Sequence, residues 1–286
     1  MIHNLYKQRG ETPLECLERF RCQRLPLTHE KMTYLGRLDP MAEGVLLVGS
    51  GEEDTKQKRR EEFFSLDKDY DFTALFGFAT DSYDVLGKII THPLAPSLIT
   101  REGEPNKTID FSEMDLIKIC KLYEGEREQK YPKYSSKMIV ANRKIKTPSQ
   151  PSPKGKESEN PLPSEGGRGE VKKIMIYKMQ FKSLETLRAK ELFGRLLMDI
   201  SKVKGDFRQA EILEGWKQIL LNTRLSPPDQ GGDHTQWAGR FSASVSSGTY
   251  IRSLINDMGN TLGCGACALS ITRTRVGNYL LRDSIR

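Results

Sequence analysis

Pro40 and three glycines punctuate the run Gly36-Arg37-Leu38-Asp39-Pro40-Met41-Ala42-Glu43-Gly44-Val45-Leu46-Leu47-Val48-Gly49, and no other stretch limits the fold as strongly. Glycine tolerates backbone angles that other residues avoid, and a proline steers the residue before it away from helix. Asp39 is therefore predicted on a fixed turn, with Val45 to Val48 as a core strand directly behind it. A carboxylate held rigidly at the edge of an element can act as a nucleophile or a base. An aspartate in an ordinary turn would carry the same local sequence, so this stretch alone leaves both readings open.

The flanking chain reads as alternating strands and helices. Asn4 to Gly10 reads as a strand and turn. Thr12, Pro13 and Glu15 form a helix start with a capping box, and Leu14, Leu17 and Phe20 are expected on its core face. The charged run Glu52 to Glu62, with Lys56, Lys58, Arg59 and Arg60, fits a solvated helix face better than an RNA contact. Asp71 to Phe78 reads as a strand with Phe72, Ala74 and Phe76 on one side and Tyr70 at its start. Ser112 and Asp115 cap a helix that runs to Glu124, where Gly125 ends it. Ile174 to Phe181 alternates as a strand with Met175, Tyr177, Met179 and Phe181 on one face. Leu184 to Leu221 reads as helix broken near Gly205, and Ser226 to Gly239 as a loop whose His234 is solvent-exposed. Phe241 to Ser246 reads as a half-buried strand. After a turn at Gly248, Ile251, Leu254, Ile255, Met258 and Leu262 recur at helical spacing up to Gly263. Tyr250 and Arg252 stand where that helix begins, a place that also attracts phosphate.

Thr147 to Glu170 differs in kind: its 24 residues hold five Pro, four Ser and four Gly, with Leu162 as the one large apolar side chain. Such a segment cannot bury enough surface to offset its ordering entropy, so it is expected to be a disordered insert. The whole chain, at 286 residues and 37% hydrophobic, can still hold a sizeable core. A net charge of +7 and a pI near 9.0 favour a polyanionic partner. Five scattered cysteines argue against a disulfide framework. Cys264-Gly265-Ala266-Cys267 has metal-like spacing, but no second pair or His cluster completes a zinc site. With no apolar signal core in Met1 to Gly10 and no run of membrane-spanning length, a soluble cytoplasmic protein is expected.

Four stretches, in order, resemble the TruB family of tRNA pseudouridine synthases. They are Gly36 to Leu46; Lys68-Asp69-Tyr70 with Gly77 to Gly87; Tyr131-Pro132-Lys133-Tyr134-Ser135-Ser136-Lys137; and Gly248-Thr249-Tyr250-Ile251-Arg252-Ser253-Leu254. The resemblance runs from about Asn4 to Asn278. It implies an α+β fold, the pseudouridine synthase fold, with a central mixed, largely antiparallel sheet flanked by helices. It further implies one catalytic domain over 1–286, with 147–170 falling in the family's thumb-like region. Many relatives continue into a C-terminal RNA-binding PUA domain; the chain ends soon after Asn278, so a short form without it is expected.

The chemistry implied is isomerisation of a uridine, at position 55 in the T arm of tRNA. The bond from uracil N1 to ribose breaks and is remade at C5. Nothing is oxidised and no group is imported, so no cofactor and no metal are expected. By resemblance Asp39 is the catalytic carboxylate. Arg252 is its partner, since a guanidinium orients a carboxylate and favours its anionic form. Tyr70 is the tyrosine that stacks on the target base and the candidate for C5 deprotonation. Tyr250 lines the pocket, and Ile271 stands where a leucine usually covers the base. Arg273, Arg275 and Arg282 are candidates for phosphate contacts. Each has a plain alternative: a surface arginine, or a tyrosine in core packing. Tyr34 occupies the position of a family histidine near the flipped nucleotide, Gln8 replaces the proline of a Lys-Pro-x-Gly motif, and Arg37 and Glu43 replace small residues. The expected partner is the tRNA T arm, engaged by a monomer with no obligate protein partner and no membrane. Two other readings keep the fold: a tRNA-binding chaperone without turnover, and a synthase acting on another RNA.

Overall fold

Alternation of apolar side chains decides both where strands form and which way they face. The computed structural model describes residues 1–24, 30–90, 111–132, 171–221 and 235–286. In chain order the elements are β1 (Ile2–Lys7), α1 (Pro13–Arg24), β2 (Met32–Tyr34), β3 (Ala42–Ser50), α2 (Gly51–Asp54), α3 (Gln57–Phe64), β4 (Lys68–Phe76), β5 (Ala79–Thr80), β6 (Ile89–Ile90), α4 (Glu113–Tyr123), β7 (Gly125–Lys130), β8 (Val171–Arg188), α5 (Ala189–Ser201), α6 (Gln209–Leu221), β9 (Thr235–Val245), α7 (Ile251–Thr261), β10 (Ala266–Val276) and β11 (Tyr279–Leu280). The insert Thr147 to Glu170, the motif from Lys133 to Lys137, and His234 lie outside the described residues.

The main sheet runs β1-β3-β10-β4-β9-β8-β7, with β2 on β3 and β11 on β10. Among its described strand pairs only β3–β10 is parallel. The fold is thus α+β with a mixed, largely antiparallel sheet. Because successive side chains point to opposite faces, the sheet carries two cores. Ala266 and Ala268 of β10 with Ala74 and Phe76 of β4 face α4 and α7. The intervening Cys267, Leu269 and Leu75 face α5 and α6. Helix α7 lies so close to β10 that a Cβ on Gly259 would come 2.1 Å from the Ala266 nitrogen.

Local signals account for several boundaries. At α1 the Thr12 hydroxyl accepts from the Glu15 N–H at 3.2 Å, and the Glu15 carboxylate accepts from the Thr12 N–H at 2.7 Å. The same reciprocal box joins Ser112 and Asp115 ahead of α4. Leu14, expected in the core, is 57% exposed. The buried stripe of α1 is Cys16, Leu17 and Phe20, and Leu14 sits about 200° round the helix from Cys16. The charged run splits into α2 and α3, where Arg59 pairs with Asp54 and Glu62 while Phe63 turns inward.

Other expectations need correction. β4 begins at Lys68, so Tyr70 lies inside the strand rather than at its start. In β8 the inward residues are first Ile174 and Ile176, and Tyr177 is 52% exposed. A register shift between Ile176 and Lys178 then brings Met179 inward. One extra residue reverses the parity of everything after it. Residues 184–188, expected as helix, continue β8 and pair with β9, which starts at Thr235 inside the expected loop. Helices α5 and α6 follow, interrupted around Gly205.

Candidate active site

Two apolar anchors hold the loop that carries Asp39. Leu38 is buried in the core under α7, and Met41 in the core under α5 and α6. The chain turns between them, with the Asp39 carbonyl accepting from the Ala42 N–H at 3.0 Å. Two buried cations brace the turn. The Lys7 ammonium, fully buried, donates to the carbonyls of Gln8, Pro40 and Ala42 at 3.0, 3.3 and 2.6 Å. Burial pulls its pKa down to about 8. Arg273 donates to the carbonyls of Arg37 and Val45, each at 2.8 Å. Gly44, at φ 110°, lets β3 pass against Arg273, whose carbonyl would lie 2.3 Å from any Cβ there.

Arg252 enters from the first turn of α7. Its guanidinium Nε lies 2.8 Å from Asp39 Oδ2, and Nη1 lies 3.4 Å from Asp84 Oδ2. Nη1 also donates to the Ser82 carbonyl at 2.7 Å. Arg252 is 5% exposed. Burial opposes its charge, but the Asp39 and Asp84 carboxylates outweigh that and raise its pKa. Asp84 is buried, which pushes its carboxyl pKa up against the pull of Arg252 and the Ser82 hydroxyl, 2.7 Å away. Tyr83, just before it, holds φ 65°, a left-handed conformation that is uncommon for a bulky residue. Asp39 differs from both: its side chain is 39% exposed and faces a recess lined by Met41, Ala42, Asp84, Arg252 and Ile271. The geometry is a solvent-reachable carboxylate aimed by a buried guanidinium, which is itself held from behind by a second carboxylate.

The other predicted residues divide. Ile271, 6% exposed, is on the recess wall and pairs in register with Ala42 and Phe72. Tyr70 is 7% exposed, in the apolar cluster that also holds Leu38 and Ile271, and its hydroxyl has no hydrogen-bond partner among the described residues. Tyr250 stands immediately before α7, with Tyr131 edge-on to its ring at 6.0 Å. Tyr34 is elsewhere: it packs with Leu5, Leu17 and Phe20 against α1, and is not on the recess wall. Arg273 is 2% exposed and bound to main-chain carbonyls, so it is a brace for the Asp39 loop and not a phosphate contact. Arg275 forms a two-pronged pair with Asp69, and Arg282 is exposed. Sequence reasoning missed Asp84 and Lys7 as site residues. Both sat within stretches already noted, Asp84 in the run Gly77 to Gly87 and Lys7 at the head of the one compared with Lys-Pro-x-Gly. Among the described residues no three His, Cys, Asp or Glu side chains are grouped to hold a metal. Cys264 and Cys267 are buried, and burial raises both thiols, Cys264 to about 11.

A family model described as TruB family pseudouridylate synthase (N terminal domain) matches residues 24–150, the stretch that contains Asp39, Tyr70 and Asp84. Over that stretch the chain is similar to the TruB family. Among relatives, the tRNA pseudouridine synthase B of Thermosipho melanesiensis is 29% identical over 283 residues, covering 99% of this chain and 66% of that protein. The tRNA pseudouridine synthase B of Clostridium kluyveri is 23% identical over 284 residues, covering 99% of this chain and 70% of that protein. The chain thus spans about two thirds of the length of the curated relatives it matches. A crystal structure of a Cbf5-Nop10-Gar1 complex shares this chain's fold, with TM-score 0.52, 19% identity, and coverage of 98% of this chain and 49% of that one.

Proposed function

We propose that this chain is a TruB-type enzyme that isomerises uridine to pseudouridine in the T arm of tRNA, at position 55, with Asp39 as the catalytic carboxylate. One observation carries the reading: Asp39 and Arg252, from widely separated parts of the chain, meet at 2.8 Å on the wall of one recess. Asp39 acts as nucleophile or base at the glycosidic bond. Arg252 keeps it aimed, and Asp84 keeps Arg252 from turning away. The bond from uracil N1 to ribose C1′ breaks, the freed uracil is held and rejoined to C1′ through C5, the C5 proton goes to solvent, and N1 takes up a proton. Tyr70, with a hydroxyl that makes no hydrogen bond among the described residues, is the group for that proton. Ile271 covers one face of the base, and Tyr250 closes the entrance.

The target base must leave its stack, at a cost of about a few kcal/mol that stacking and edge hydrogen bonds offset. Phosphates are held by surface cations, with Arg282 in place of the buried Arg273. The relatives' names, the chain's +7 charge and the Asp39–Arg252 pair all favour tRNA as substrate. In this reading the reaction uses no cofactor, and the chain works as one catalytic unit and as a monomer in the cytoplasm. The insert Thr147 to Glu170 is dispensable for folding, so its deletion should leave the thermal midpoint unchanged; a substantial drop would rule that out.

The test uses tRNA tritiated at uracil C5. Isomerisation releases the label to water. Protein that binds this tRNA and releases none would be a binding protein or folding chaperone. Carbodiimide modification with reverse transcription then maps the product, and a product outside the T arm would point to another RNA.

A further inference from the structure

We propose that Gln129 is a positioning residue for the catalytic pair, acting through the main chain of Tyr250. This rests on the functional reading of Asp39 and Arg252 given above. Helix α7 begins without the usual side-chain cap: its N-cap is Tyr250, which offers no capping oxygen to the first turn. The anchoring comes from the neighbouring strand instead. Gln129 of β7 is 4% exposed, and its amide engages both polar groups of the Tyr250 backbone. The Tyr250 N–H donates to Gln129 Oε1 at 2.8 Å, and Gln129 Nε2 donates to the Tyr250 carbonyl at 3.0 Å. That carbonyl also accepts the first helical bond, from the Leu254 N–H at 3.0 Å. One side-chain amide thus mimics a strand neighbour and closes both hydrogen-bonding positions of the residue two before Arg252.

The bonds around the clamp explain why Gln129 matters most. The turn ahead of it is fixed by Thr249, whose hydroxyl donates to the Ser246 carbonyl at 2.9 Å, and by Lys172, which donates to the Ser247 carbonyl at 3.0 Å. These hold the turn but not the entry of the helix. Gln129 fixes the entry, and with it the height and rotation of the first turn, from which Arg252 reaches Asp39 and Asp84. Glutamine is suited to this because its amide accepts and donates at once on a stem of fixed reach. Leucine, of similar size, would leave the Tyr250 N–H without its partner.

Gln129→Leu and Gln129→Glu test the proposal on the full chain with tRNA. Hydrogen exchange at the Tyr250 amide reads the clamp without reference to activity. We expect slow exchange in the wild type and fast exchange in Gln129→Leu. Tritium release reads positioning: kcat of Gln129→Leu should fall by about 10- to 100-fold with KM within about threefold, as for a displaced catalytic group. Gln129→Glu sharpens the reading, because a protonated carboxylic acid accepts and donates as the amide does, while a carboxylate cannot donate. Its kcat relative to wild type should therefore fall as pH rises, whereas that of Gln129→Leu should stay flat. If Gln129→Leu loses amide protection but keeps wild-type kcat, Gln129 does not position the pair. An unprotected Tyr250 amide in the wild type would overturn the clamp itself. Wild-type protein with a protected amide and no tritium release would sink the functional reading and leave the clamp standing.

Discussion

Arg252–Asp39 and Arg275–Asp69 join the same two side-chain types at 2.8 and 2.5 Å, yet their surroundings set them apart. Arg275 and Asp69 face each other across neighbouring strands, both side chains about one-third exposed, in a two-pronged fork. Their charges satisfy one another, and water screens the pair. Arg252 is buried and shared unequally between a solvent-reachable carboxylate and a buried one. The first pair closes on itself and stitches β10 to β4. The second leaves Asp39 a free face toward the recess. An ion pair becomes a candidate for chemistry when its acid is aimed but not enclosed.

The largest expected effect breaks the second pair at its exposed end. Asp39→Asn should reduce tritium release by about 10³-fold or more. Its tRNA affinity, measured by filter binding, should stay within a few-fold of wild type. A large loss of binding with residual turnover would reassign Asp39 to RNA docking.

Arg252→Met acts on the buried end. It strands Asp84 without its cation, so denaturant unfolding should show a loss of about 3–5 kcal/mol together with loss of turnover. The double variant Arg252→Met with Asp84→Leu should recover much of that stability and none of the turnover. Recovery of neither would mean that Asp84 is not the stranded charge.

Lys7 extends the comparison to a buried cation hydrogen-bonded to main-chain carbonyls, where burial outweighs the pull of the Glu11 and Asp39 carboxylates. Its folded pKa, about 8, lies below the ordinary 10.5. The unfolded chain therefore binds the proton more tightly between those values, and stability from this group rises with pH. The contribution is fully present above 10.5 and is lost as pH falls through about 8. Lys68, also near 8, adds a parallel rise, so the difference between wild type and Lys7→Met is the informative curve. Thermal midpoints should show wild type gaining on Lys7→Met from pH 8 to 10.5.

The smallest effect belongs to the closed pair. Asp69→Asn should cost about 0–1 kcal/mol in unfolding experiments and leave kcat unchanged. A tenfold loss of turnover would erase the distinction drawn between the two pairs.

Much of the site was legible in the residues themselves. Pro40 and its flanking glycines required a turn at Asp39. The spacing of Ile251, Leu254, Ile255 and Met258 required a helix starting beside Arg252. Capping boxes at Thr12 and Ser112 marked two helix starts correctly. These signals are short-range: a turn, a cap or a helical stripe depends on residues within a few positions.

What tertiary structure alone decided were the pairings across the chain. Nothing near Arg273 says that its guanidinium will meet the Arg37 and Val45 carbonyls and so be lost to RNA. Nothing near Ile176 announces the register shift that turns Tyr177 outward, because a bulge is a property of two strands together. Asp84 behind Arg252, and Gln129 beneath Tyr250, likewise depend on which strand lies beside which helix. Local sequence determines the shape each segment takes alone. Burial and hydrogen-bond partners belong to the assembled sheet, where a side chain's neighbours come from distant parts of the chain.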